Sequence, residues 1–180
     1  MSLHEVQTGS GRLSGKVAIV TGENEYLPRK AELICSQLLG AASGFGRAIT
    51  QRFVAEGAKV VAADMNADGL AKSFDKDPET HVQTITANVT SESDWKKIVE
   101  LAKDKFGGVD ILINNAGTSY KNKPTLTVTE AEFDKVMAVN VKSIFFSIPA
   151  IVPAMQERGG GSIINIASIG AMRPRPGLVW

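Results

Sequence analysis

Five short apolar runs, rich in β-branched residues, alternate with segments of helical spacing. The runs are Lys16–Thr21, Ala58–Asp64, His81–Ala87, Val109–Ile113 and Ser162–Ala167. The first, second and fourth are nearly unbroken, as expected of strands buried on both faces. A helix is predicted from Gly44 to about Glu56, with Ile49, Phe53 and Val54 on one face, and a second from Asp68 to Asp77, stopped by Pro78. A third runs from Ser91 to Phe106, opening on what resembles a capping box at Ser91–Asp94 and burying Trp95, Ile98, Val99, Ala102 and Phe106. The last opens on a second capping box, Thr129–Glu132, and reaches about Glu157 with a break near Val139–Asn140. Strictly alternating strands and helices predict right-handed βαβ units: an α/β doubly wound parallel sheet covered on both faces.

Ligands of such sheets bind outside the carboxyl ends of the strands. Gly40, Asp64, Asn88, Asn115 and Ser168 all fall at or just past predicted strand ends. Gly40-Ala41-Ala42-Ser43-Gly44-Phe45-Gly46 spaces three glycines as G-x-x-x-G-x-G before a helix. Glycine lets the backbone approach a phosphate closely, and a helix N-terminus offers free N–H groups and a positive dipole end. Taken alone, such a turn is equally a plain loop. Asp64 follows Gly46 at about the 20-residue spacing at which a strand-end acid bonds the adenosine ribose hydroxyls. The plainer alternative is an Asp entering a turn.

Charge and composition narrow the class. In 180 residues, 20 basic side chains face 19 acidic ones, with no basic stripe for nucleic acid. Cys35 is the only cysteine, so a disulfide framework is excluded and a reducing compartment expected. The polar N-terminus has no signal-like apolar core, and no apolar run is read as long enough to span a membrane. A cytoplasmic protein without nucleic-acid or membrane partners and without a metal site is the expectation. Residues 1–12 read as a disordered lead-in to a domain at 13–180.

These residues together resemble the short-chain dehydrogenase/reductase family. Thr21 with Gly40-x-x-x-Gly44-x-Gly46 resembles its TGxxxGxG turn, Asn114-Asn115-Ala116-Gly117 its NNAG element, Asn140 its catalytic asparagine and Ser168 its catalytic serine. The resemblance implies a Rossmann-like sheet of order 3-2-1-4-5 and a nicotinamide cofactor. That cofactor would be held by Gly40, Ser43, Gly44, Phe45, Gly46, Asp64, Asn88, Val89, Asn115, Ala116 and Gly117. It implies hydride transfer to or from a small alcohol or ketone. In the family, the serine orients the substrate oxygen and a Tyr-x-x-x-Lys pair moves the proton. NAD is expected over NADP, because Asp64 would repel a 2′-phosphate and Ser43 stands where NADP-preferring relatives carry a base. Homo-oligomers are the rule for full-length relatives.

Two features depart from the pattern. Residues 22–39 separate Thr21 from the glycine turn, and removing them restores a continuous match. The insertion either loops out or displaces the phosphate cradle, and it is read as translated intron. The Tyr-x-x-x-Lys pair is expected just past Trp180, and neither Tyr26 nor Tyr120 lies where it could replace it. The chain thus reads as a C-terminally truncated member. The alternative to an oxidoreductase is an inactive relative, either dinucleotide-binding or a non-functional fragment.

Overall fold

The structure, a computed structural model, describes residues 10–22, 41–42, 44–75 and 79–180. Gly40, Ser43, the segment 23–39 with its expected short helix, and residues 1–9 of the lead-in lie outside the described residues. Five parallel strands form one sheet in the order β3-β2-β1-β4-β5, as expected. They are β1 (Val17–Gly22), β2 (Lys59–Asp64), β3 (Val82–Thr86), β4 (Ile111–Asn114) and β5 (Ser162–Asn165). The intervening helices are α1 (Gly44–Ala55), α2 (Ala67–Phe74), α3 (Glu92–Phe106), α4 (Glu130–Met137) and α5 (Ser143–Glu157).

The unbroken apolar strands follow from a sheet with two buried faces. Val17 and Ile19 of β1 point to one face, with Val61, Leu112, Trp95 and Ile98. Ala18 and Val20 point to the other, with Val60, Ile113, Leu70 and Phe74. Ile49, Phe53 and Val54 of α1 pack on this second face, as their spacing predicts. Trp95 has no exposed surface, and its Nε1 donates to the Val89 carbonyl at 2.9 Å, so a large apolar body is buried with its polar atom satisfied.

Three local expectations change. Thr129–Glu132 is a full capping box, but Ser91–Asp94 is only half of one. Ser91 caps the Asp94 N–H, while the Asp94 carboxylate turns to the Asn88 N–H at 3.0 Å and to Lys97. The break near Val139–Asn140 is a π-helical turn, Ala138–Lys142, that joins α4 to α5. The resulting run, Glu130–Glu157, is long and apolar enough to cross a membrane by length and composition, which corrects the reading that no run reaches that length. Its Val139, Ile151, Ala154 and Met155 pack into the sheet core beside α3, while Met137, Val141, Phe145 and Ile148 stay exposed on its other side.

The amino ends of the strands are held by carboxylates. Asp110 accepts the Val17 N–H at 2.8 Å and pairs with Arg158 at 2.8 Å. Burial pushes the Asp110 carboxyl up, but the hydrogen bonds from Arg158 and Val17 and the charges of Arg158 and Lys16 outweigh it and hold it below its ordinary value. Buried Glu56 gathers the Ser10 hydroxyl, the Arg12 guanidinium and Arg52, while its carbonyl accepts the Leu13 N–H. Ser10 and Arg12 of the lead-in, with Leu13, are thereby fastened to the end of α1.

The hydrogen bond from Arg12 is the largest cause that lowers the Glu56 carboxyl, from its ordinary 4.5 to about 2. A depressed acid stabilises the fold fully above the unfolded value and loses that contribution as pH falls through the folded one. Unfolding followed from pH 5 downward is therefore expected to show stability falling between about 4.5 and about 2, and Glu56→Gln is expected to flatten that fall. An identical acid profile in the variant would contradict the assignment.

Candidate functional site

The register of the sheet brings the carboxyl ends of its strands level. Gly22 pairs with Asp64, Asp64 with Thr86, and Asn114 with Asn165. The described strand-end residues among those read from sequence thus fall along one edge. Next to β1, the described turn residues Ala41 and Ala42 are buried, and α1 begins at Gly44 with φ +53°. No acid occupies the first turn of α1, so its N-terminal N–H groups and positive dipole end remain available to an anion. Gly46 is buried in that turn, whereas Phe45 is exposed.

Thr21 is the hub of the β1–β4 end. Its hydroxyl donates to the Ile113 carbonyl at 3.3 Å and accepts from the Asn115 N–H at 3.3 Å and the Ala116 N–H at 3.4 Å. The Asn115 amide donates to the Thr21 carbonyl at 3.0 Å. Asn114 reaches the other way, donating to Asn165 Oδ1 at 2.9 Å. The element Asn114–Gly117 therefore ties β1, β4 and β5 together. Asn115 Oδ1 is buried and finds no partner among the described residues, and the same holds for Arg47 Nε in the first turn of α1.

Asp64 sits differently from a free ribose acceptor. It has no exposed surface, and its carboxylate accepts the Ala42 N–H at 3.0 Å and the Asn66 N–H at 2.9 Å. Burial pushes its carboxyl above the ordinary value, against the N–H groups of Asn66, Ala42, Met65 and Ala41, which pull it down. Asp64 thus anchors the turn ahead of α1 to β2. Asn88 lies at the β3 end, where its Oδ1 accepts the Thr90 N–H at 2.8 Å and hydroxyl at 2.7 Å. Val89 is buried as a whole, its side chain in the core and its carbonyl taken by the Trp95 indole, unlike the cofactor contact expected of it.

Asn140 and Ser168 stand farther along the same edge. Asn140 occupies the π-helical turn, and π turns are frequent at functional sites. Its side chain clamps Thr118, accepting the N–H at 2.7 Å and donating to the carbonyl at 2.9 Å. That grip fixes the chain immediately after Gly117. Ser168 is exposed at the start of a single turn of 3-10 helix, Ile169–Ala171, and its Oγ accepts the Gly170 N–H at 3.1 Å. The bond uses a lone pair and leaves the hydroxyl proton free to donate. Surface hollows lie away from this edge. One of about 370 Å³ lies near the amino ends of β2 and β3, lined by Lys59, Gln83 and Lys105 among others. Another lies on the outer face of α4 and α5.

Residues 37–180 match the model of the short chain dehydrogenase family. The chain is 41% identical over 143 residues to 4-formylbenzenesulfonate dehydrogenase of Comamonas testosteroni, covering 78% of this chain and 57% of that protein. To levodione reductase of Leifsonia aquatica it is 36% identical over 140 residues, covering 76% and 52%. The chain thus spans little more than half the length of these curated relatives. Among solved structures, 3-ketoacyl-(acyl-carrier-protein) reductase from Brucella melitensis, complexed with NADH, superposes with a TM-score of 0.79 at 35% identity. It covers 93% of this chain and 63% of that one.

Thr21→Val keeps the shape of the hub but strands the buried N–H of Asn115. A stability loss of about 1–3 kcal/mol is expected in denaturant unfolding. A variant as stable as the parent would show that the hub does not hold the edge together.

Proposed function

Because the chain belongs to the short-chain dehydrogenase family, we propose that its carboxyl edge binds NAD(P) and serves hydride transfer between the nicotinamide and a small alcohol or ketone. The observation that carries the reading is the convergence on one sheet edge of the α1 N-terminus, Asp64, Asn88, the Asn115–Gly117 turn, Asn140 and Ser168. The edge also fits the group chemically. The acid-free first turn of α1 suits a pyrophosphate, and Arg47 Nε and Asn115 Oδ1, buried without a partner among the described residues, are polar atoms that a bound dinucleotide could satisfy.

Bound NAD(P) would supply the hydride-carrying nicotinamide carbon. The chain's own residues bind and orient. The first N–H groups of α1 would hold the diphosphate. Ser168, with its proton free, would donate a hydrogen bond to the substrate oxygen and favour the charge that gathers there, while the proton that balances the hydride is exchanged with water. Asn140 keeps Gly117–Thr118 in place beside it. NAD is preferred in this reading, because the strand-end acid of β2, Asp64, offers a 2′-phosphate no counter-charge.

Thermal unfolding tests the reading, since a ligand that binds only the folded state raises its stability. NAD is expected to raise the unfolding midpoint more than NADP at equal concentration. A midpoint that neither moves would overturn the assignment, and a larger shift with NADP would overturn the preference.

A second copy of the chain is the partner in this reading. Met137, Val141, Phe145 and Ile148 are exposed at helical spacing along α4 and α5, over a hollow of about 500 Å³ flanked by Asp134 and Lys142. These two charges lie equally far on either side of Ala138, so antiparallel pairing about Ala138 sets each Asp134 against the other copy's Lys142. Light scattering is expected to show a dimer that Phe145→Glu turns into a monomer. A parent chain that is already monomeric would contradict this pairing.

A further inference from the structure

We propose that Tyr120 is a positioning residue of the substrate cleft, its phenol oxygen locking the loop that follows Ser168 onto the loop that follows β4. Tyr120 is 8% exposed, and its oxygen accepts the N–H groups of Val179 at 2.8 Å and Trp180 at 3.1 Å. Two main-chain donors on one phenol fill its acceptor capacity. The inference rests on the functional reading above, in which Ser168 meets the substrate.

Three neighbouring contacts make the lock a clasp between two loops. The Asn122 side-chain amide donates to the Pro176 carbonyl at 3.2 Å, and the Lys123 N–H donates to the Gly177 carbonyl at 3.2 Å. Gly177 has φ +79°, a backbone conformation that side chains rarely adopt, and a Cβ there would press on the Asn122 side-chain amide, so the turn favours a glycine. Trp180 then sets its ring edge-on to Phe133 of α4, with centroids 5.8 Å apart.

The far end of the loop is pinned as well. Ser168 caps Gly170, Arg173 donates to the Ile169 carbonyl at 2.8 Å, and Arg175 bridges to Leu178. From Ser168 to Trp180 the chain is folded back on itself, and Tyr120 closes the fold. The loop after β4 thereby serves both halves of the site. Thr118, gripped by Asn140, belongs to the turn beside the dinucleotide edge, and Tyr120 holds the wall beside Ser168. Where Ser168 points therefore depends on the Tyr120 hydroxyl.

Tyr120→Phe keeps the buried ring and removes the oxygen. In the 180-residue chain, amide exchange at Val179 and Trp180 is expected to quicken by on the order of tenfold, the equivalent of one ordinary hydrogen bond. The amide resonances of Ser168 and Gly170 are expected to shift, while those of β1 to β3 and the unfolding midpoint stay near the parent's. Trp180 should also become more open to acrylamide quenching, and Trp95, which has no exposed surface, does not contribute to that signal. Should Tyr120→Phe fail to fold, Gly177→Ala breaks the clasp from the opposite loop and is expected to give the same exchange and resonance changes. Unchanged exchange at Val179 and Trp180, or an unmoved Ser168 resonance, overturns the proposal. A parent chain whose midpoint ignores NAD and NADP, with the clasp changes present, overturns the functional reading and leaves the clasp standing.

Discussion

The structure depends on how the polar groups at the carboxyl ends of β1 and β4 are satisfied. A parallel sheet covered on both faces ends in backbone groups that no further strand residue can pair, and buried groups of that kind must find partners. Thr21 meets this demand with one side chain, giving a hydrogen bond to Ile113 and taking them from Asn115 and Ala116. Asp64 does the same for β2 and the turn ahead of α1. Once these groups are paired inward, the start of α1, the Asn115–Gly117 turn and the Ser168 loop are left facing out along one edge.

The two ends of the sheet are built with different chemistry. Charged carboxylates with cationic partners hold the amino end: Glu56 with Arg12 and Arg52, and Asp110 with Arg158 and Lys16. Neutral hydroxyl and amide groups do most of the work at the carboxyl end, where the buried Asp64 carboxyl is pushed toward protonation. Ion pairs can fasten an end that meets only solvent. An end that receives an anionic ligand is better served by neutral pairing and by a helix N-terminus kept clear of acids.

Much of this was legible in the sequence. The strands announced themselves because burial on both faces removes polar residues from Val17–Val20 and Val60–Ala63. That the strand ends gather along one edge was legible because strand ends follow from the strands, and a parallel sheet aligns them. Contacts between distant segments were not. Nothing near Asp64 signals that its carboxylate serves the Ala42 backbone, and nothing near Glu56 signals that it collects Ser10 and Arg12. Tyr120 was set aside because it is misplaced for proton transfer, yet its value lies in a hydrogen bond to residues about as far along the chain as a whole βαβ unit. The interruption at Val139–Asn140 could be read as a break. Its form, a π turn that presents Asn140 to Thr118, is set by tertiary packing.

The central claim is that one sheet edge, organised by Thr21 and Asp64, is a dinucleotide site. Titrating NAD into the isotopically labelled chain and following each amide resonance tests it most directly. The account predicts shifts confined to Ala42, Gly44–Arg47, Asn88 and Asn115–Gly117, with Lys59, Gln83 and Lys105 at the other edge unmoved. Shifts centred on those three residues, or none at any concentration, would contradict it.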